Sequence, residues 1–298
     1  RRLGLRYWSL AEFLKRRSGA AEPSGEQALR ELYQRGRHLE LSGSLVDLQT
    51  ARESYRLALE LDSTYTLAWA GLADVYSLMV SYAYAPGGPM LDSARLAAMR
   101  AMALDSALPE TRTAYAITLT NAGDFAGAER EFRRAIRLDP EFAPAHYWYS
   151  ALLVALGRGE EALAEANTTL SLDRLPPRGA LALQRYATYL ATGDRPWMRT
   201  PVTARRPVLQ MSPGEPWARA REAAELADDG RCTEARGELE KARRLVPDGN
   251  MRMLPLVGWV ALGRGEREHA RAVLDDMLRR PDAPDHGYRV AWMYTMLG

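Results

Sequence analysis

The 298 residues carry 40 basic and 38 acidic side chains, a net charge of +2, and 47% of positions are hydrophobic. That balance argues against a disordered chain and against the concentrated basic footprint of a nucleic-acid binder, so no nucleic acid is expected as a partner. A lone cysteine, Cys232, excludes an internal disulfide and any multi-cysteine metal site, and every apolar stretch falls short of the roughly 20 residues that span a bilayer.

The chain opens on a basic, aromatic segment. Residues 1–17 hold Arg1, Arg2, Arg6, Lys15, Arg16 and Arg17 against the single acid Glu12, interleaved with Leu3, Tyr7, Trp8 and Phe13. Such a segment lies on an anionic membrane surface, follows a membrane-spanning helix, docks on a partner, or caps the first helix behind it. Arg2, Arg6, Tyr7, Trp8, Phe13 and Arg16 are its expected contact residues, and 1–25 is set apart from a repeat region over 26–298. The first residue is Arg, not Met, and the last, Gly298, falls within a helical pattern, so flanking sequence is expected at both ends. Lysine occurs only at 15 and 241 while alanine is abundant, a composition expected of a GC-rich bacterial genome.

From residue 26 the sequence repeats itself. Small residues recur at Ala94, Ala128 and Ala162, and a helix-ending position recurs at Ser106, Pro140 and Arg174, in both cases at a spacing of 34. Within each unit two segments with apolar residues at i, i+3, i+4 and i+7 flank a short turn, which predicts a helical hairpin. The first unit contains Leu32, Gly36 and Leu39, then Ala51, Tyr55 and Ala58. The next, 66–104, carries an insert around Tyr82 to Pro89, and regular units follow at 109–138 and 143–172. Asn121-Ala-Gly-Asp and Leu156-Gly-Arg-Gly supply their turns, and glycines in the second and in Gly263-Arg264-Gly265 read as residues that end helices at positive φ. Ala128 and Ala162 mark close helix crossings, with Phe132 filling the space one turn on.

The unit at 177–211 departs from the rule. Between Gly193 and Trp217 lie Pro196, Pro201, Pro207, Pro213 and Pro216, and each internal proline costs about 3 kcal/mol in a regular helix, so its second helix is expected to be broken. It reads as a degenerate repeat near 195–216, and Trp197, Met198 and Arg199 in its acid-free stretch read as a docking segment or a loop folded back on the repeats. Units at 216–246 and 251–280 and a half-hairpin from Tyr288 to Leu297 close the chain.

The set Trp69, Leu72, Ala73 and Tyr76, followed by Ala128, Phe132, Ala135 and Pro140, resembles the tetratricopeptide repeat family. The resemblance implies an all-α, right-handed solenoid of about seven to eight stacked hairpins, because one hairpin alone cannot bury its apolar stripe. It also implies that ligands lie against first-helix residues outside the packing motif. Carried over, these are Arg30, Gln34 and Arg37 in the first unit, Asp74 in the second, and Glu110, Thr113, Ile117 and Asn121 in the third. Tyr147, Ala151 and Val154 continue the face in the fourth, where it turns apolar. The Lys and Asn cluster with which some family members grip a C-terminal carboxylate is absent.

Chemistry of other kinds finds no footing. His38, His146, His269 and His286 are scattered over different repeats, and no phosphate loop, dinucleotide fingerprint or nucleophile elbow is present. Adjacent acids such as Glu160-Glu161 and Asp275-Asp276 read as solvated helix-start charges. The chain is therefore expected to be no enzyme, to need no cofactor or metal, and to be soluble or peripheral to a membrane, in cytoplasm or periplasm. The leading expectation is a non-catalytic scaffold, a subunit or organiser of a larger assembly, including one at a membrane. The alternative is a sensory or regulatory module of a multidomain bacterial signalling protein. Glu31-Leu-Tyr-Gln-Arg-Gly-Arg37 and Trp69 to Tyr76 resemble repeat regions that follow a kinase, a cyclase or a DNA-binding domain.

Overall fold

The computed structural model describes residues 25–41, 44–81, 87–172, 180–193, 219, 222–223, 226, 231–244, 254–280 and 287–297. Among these residues there are thirteen helices and no strand. In chain order they are α1 (Gly25–Glu40), α2 (Leu45–Leu61), α3 (Thr66–Ser81), α4 (Gly87–Leu104), α5 (Pro109–Asn121), α6 (Phe125–Leu138) and α7 (Ala143–Ala155). They continue as α8 (Gly159–Leu172), α9 (Ala180–Thr192), α10 (Cys232–Arg243), α11 (Leu254–Gly263), α12 (Arg267–Arg279) and α13 (Gly287–Leu297). The fold is an all-α solenoid. Helices α1/α2, α3/α4, α5/α6, α7/α8 and α11/α12 pair as hairpins, the first four stack in succession, and α9 packs on α7 and α8.

Local chemistry punctuates each unit. Ser44 caps α2 by accepting from the Asp47 N–H, and Asp124 caps α6 by accepting from the Gly127 N–H. Between hairpins an aspartate starts the turn: Asp62, Asp105 and Asp139 each accept a backbone N–H two residues on, from Thr64, Ala107 and Glu141. Within hairpins, Gly123, Gly157 and Gly265 take φ of 80°, 74° and 77°, where a side chain would be strained. The positive φ belongs to one glycine of each turn. Gly159 instead opens α8 and Gly263 closes α11. The pair Asp275-Asp276 likewise lies inside α12, not at a helix start, with Asp276 held by Arg280 at 2.8 Å. The Pro-rich stretch around 195–216 lies outside the described residues.

Packing follows the repeat. Ala94, Ala128 and Ala162 are fully buried, and Phe132 is 1% exposed with its ring 6.0 Å from that of Tyr149. Leu32, Leu48, Tyr55 and Leu72 belong to an apolar core under α1 to α5, while Ile117, Phe132 and Leu152 belong to one that continues to Met293 in α13. Trp148 packs against both.

A cross-hairpin ion pair also recurs, which motif reading had passed over. Glu131, Glu165 and Glu238 each stand three residues after a fully buried alanine, Ala128, Ala162 and Ala235. Each binds a cationic group 19 residues earlier: Arg112 at 2.7 Å, His146 at 2.5 Å and Arg219 at 3.0 Å. The first two pairs tie a first helix to the second helix of its own unit, and the last joins Arg219 to Glu238 of α10 at the same spacing.

In the middle unit the cation is a histidine, 6% exposed, whose Nδ1 faces Glu165 and whose Nε2 lies 3.0 Å from the Pro140 carbonyl. Both ring nitrogens face acceptors, an arrangement that favours the protonated ring. Burial opposes that charge, but the hydrogen bonds to Glu165 and Pro140 and the charges of Glu165 and Asp139 outweigh it and raise the His146 pKa. The folded state therefore holds the proton more tightly than the unfolded chain. The stabilisation is complete below the ordinary histidine value and fades as pH climbs through the raised one. Urea unfolding of wild type and His146→Gln between pH 6 and 9 is expected to show the wild-type advantage shrinking as pH rises. A constant difference would place the proton elsewhere.

Candidate partner-binding face

The first helices α1, α3, α5, α7 and α9 pack side by side in chain order as one layer. The packing motif builds this face: Gly36, Ala73, Ala116 and Ser150 are buried at equivalent positions of four successive first helices. The next residue in each is Arg37, Asp74, Ile117 and Ala151, all four of them among the expected ligand contacts. The row runs from charged to apolar.

Its charged end is tightly organised. Arg37 Nη1 donates to Glu40 Oε2 at 2.7 Å and to Asp74 Oδ2 at 3.3 Å, which joins α1 to α3. Tyr55 of α2 donates to Glu40 Oε1 at 2.8 Å. The Tyr55 ring is fully buried, and a Cβ at either Gly36 or Gly71 would come within 2.4 Å of it. Two carboxylates thus share one guanidinium. Burial, then the Glu40 charge, pushes the Asp74 carboxyl well above the usual carboxylate range, while Arg37 pulls the other way. Glu40 is raised too, by burial, against the pull of Arg37 and the Tyr55 hydroxyl. The second oxygen of Asp74, Oδ1, is buried without a hydrogen-bond partner among the described residues.

The other expected contacts divide by place. Arg30 and Gln34 on α1 are exposed, with Arg30 paired to Glu26 at 2.8 Å, and Glu110 on α5 is half-buried. Tyr147 on α7 is half-buried, its ring 5.1 Å from and edge-on to Trp148. Thr113, Ile117, Asn121, Ala151 and Val154 are buried. Ile117, Ala151 and Val154 belong to the same apolar core as Met293, Met296 and Leu297 of α13, which packs on α5 and α7. No pattern in the third and fourth units announces that a helix about 140 residues later in the chain lies against them. Arg2, Arg6, Tyr7, Trp8, Phe13, Arg16, Trp197, Met198 and Arg199 lie outside the described residues.

Among the described residues no three His, Cys, Asp or Glu side chains are grouped as they would be to hold a metal ion. No described helix is long and apolar enough to cross a membrane. His38 and His269 are exposed.

Residues 119–186 match the tetratricopeptide repeat family. No curated protein matches the chain. Among solved structures, a tetratricopeptide repeat protein from Parabacteroides merdae is 16% identical at a TM-score of 0.46, the match covering 90% of this chain and 99% of that one. PilF of Pseudomonas aeruginosa is 17% identical at a TM-score of 0.38, covering 89% and 97%. PilW, described as a widely conserved type IV pilus biogenesis factor, is 15% identical at a TM-score of 0.38, covering 86% and 97%.

Proposed function

We propose that this chain, which carries tetratricopeptide repeats over at least residues 119–186, is a non-catalytic protein-protein interaction scaffold and a subunit or organiser of a larger bacterial assembly. The observation that supports this reading is the continuous layer of first helices, on which Arg30, Gln34, Glu110 and Tyr147 stay exposed or half-buried beside the ion-paired Arg37 and Asp74 and the buried Ile117 and Ala151. A repeat stack of this kind offers an extended surface for a peptide or helix. The basic segment 1–17 is a second contact, with a membrane surface or membrane-protein complex as its target, and Trp197, Met198 and Arg199 form a third.

Capture of the tagged full chain from its own cells in mild detergent, followed by mass spectrometry, tests the reading. The wild type is expected to recover a protein partner at stoichiometric level. Arg30→Glu with Gln34→Glu, both on the exposed side of α1, is expected to cut that recovery at least tenfold with an unchanged thermal melt. Recovery of no stoichiometric protein overturns the scaffold, and recovery indifferent to the charge reversal overturns the placement of the site. Integral membrane proteins in the catch locate the assembly at a membrane. Recovery within one longer polypeptide bearing a kinase, cyclase or DNA-binding domain makes the chain a regulatory module.

A further inference from the structure

The second helices α2, α4, α6 and α8 each pack on the first helix of their own unit and on the first helix of the next, and turn their remaining side to solvent. On α6 that outer side is arginine. Arg130, Arg133, Arg134 and Arg137 are all exposed and stand at i, i+3, i+4 and i+7, which puts them on one stripe. The two acids of the helix are drawn inward. Glu131 is buried and takes Arg112 and Arg134, while the half-buried Glu129 takes Arg133 and Arg158. Arg130 and Arg137 have no acidic partner among the described residues.

Thirty-four residues earlier, the same four positions of α4 are Leu96, Met99, Arg100 and Ala103, again all exposed. Leu96 is 66% and Met99 52% exposed, and Arg100 has no acidic partner among the described residues. Arg95 on the same side pairs with Asp92 at 3.7 Å. One repeat on from α6, the equivalent residues of α8 are Ala164, Asn167, Thr168 and Ser171, which carry no charge. The cationic and apolar side chains are thus confined to two second helices, both of which pack on α5.

We propose that the outer side of α4 and α6 is a docking surface for an anionic lipid bilayer. It is separate from the first-helix layer and adds to the contact assigned to residues 1–17. Two observations carry it. Arg130 with Arg134 and Arg133 with Arg137 are like-charge pairs at i, i+4, which work against the helix unless anions lie over them. A face built only for water mixes its signs, as α2 does with Arg56 against Glu53 at 3.6 Å. Guanidinium groups in such a row suit lipid phosphates and carboxylates. The second observation is the exposed Leu96 and Met99 beside these cations. Apolar tips among arginines fit the boundary between headgroups and acyl chains, where both kinds of side chain gain at once. An acidic polypeptide would use the arginines alone.

Flotation of the full chain with phosphatidylcholine vesicles, with and without phosphatidylserine, tests the proposal. The wild type is expected to bind the phosphatidylserine vesicles at least tenfold better than phosphatidylcholine alone, and to bind less as salt rises. Arg130→Glu with Arg137→Glu, and separately Leu96→Ser with Met99→Ser, are each expected to lower that binding at least tenfold. All four positions are exposed, and a glutamate at 130 meets Arg133 and Arg134 at i+3 and i+4, so unchanged thermal melts are expected for both variants. A wild type that binds neither vesicle overturns the proposal. Binding to which both variants are indifferent overturns it too, and leaves residues 1–17 as the lipid contact. Loss with the arginine pair but not with the apolar pair, together with retention on immobilised polyglutamate, overturns the bilayer in favour of an acidic polypeptide. None of these residues lies on the first-helix layer, so cellular partner capture with Arg30→Glu and Gln34→Glu succeeds or fails independently.

Discussion

Tyr55→Ala is expected to destabilise the N-terminal units by about 3–5 kcal/mol, the range for deleting a large buried aromatic side chain. The ring is fully buried and lies against both Gly36 of α1 and Gly71 of α3, so it fills the seam between two hairpins. Its hydroxyl also donates to Glu40, as Arg37 does. Deletion opens a cavity at the seam and leaves a buried carboxylate short of a donor. Because each repeat draws its stability mainly from its neighbours, the loss is local. Thermal unfolding is expected to gain an early transition, and hydrogen exchange to accelerate in α1 and α2 before α7. Tyr55→Phe separates the contributions: it keeps the ring and removes the hydrogen bond, with an expected cost of about 1–3 kcal/mol. A Tyr55→Ala chain that melts in one unshifted transition would mean that the seam does not depend on this ring.

Gly159→Ala is expected to destabilise by about 1–3 kcal/mol although alanine is the better helix former. A Cβ at this first residue of α8 would lie 2.4 Å from Ala191 N and 2.4 Å from Leu190 C. Those are backbone atoms of α9, and no side-chain rotation relieves them, so one helix must move from the other. Gly237→Ala in α10 is the control, because a Cβ there meets nothing within 4 Å. It is expected to stabilise by about 0.5–1 kcal/mol through lower backbone entropy in the unfolded chain. Urea unfolding of the two variants reads the comparison directly. If they change stability with the same sign, the close approach of α8 and α9 is not as described.

What the residues determine by themselves is the repeat. The spacing of 34 between Ala94, Ala128 and Ala162, the turn glycines and the aspartate-led connections are local signals, since each works through groups a few residues apart or through one helical stripe. They are enough to place hairpins at 109–138 and 143–172, where the helix pairs α5/α6 and α7/α8 lie. Gly159 shows where such reading ends. In the sequence it is one more glycine of a turn, and only the approach of the α9 backbone gives it a different task. The ion pair of Arg37 with Asp74 is a further case, because the two meet only when α1 and α3 stack. The state of the candidate face was decided in the same way. Motif positions assign Ile117, Ala151 and Val154 to a ligand surface from first-helix register alone, but whether that surface is covered depends on α13. That helix arrives from the far end of the chain, so its place depends on tertiary packing and not on the local pattern of the units it meets. Contacts between distant units leave no period in the sequence, because nothing about them repeats.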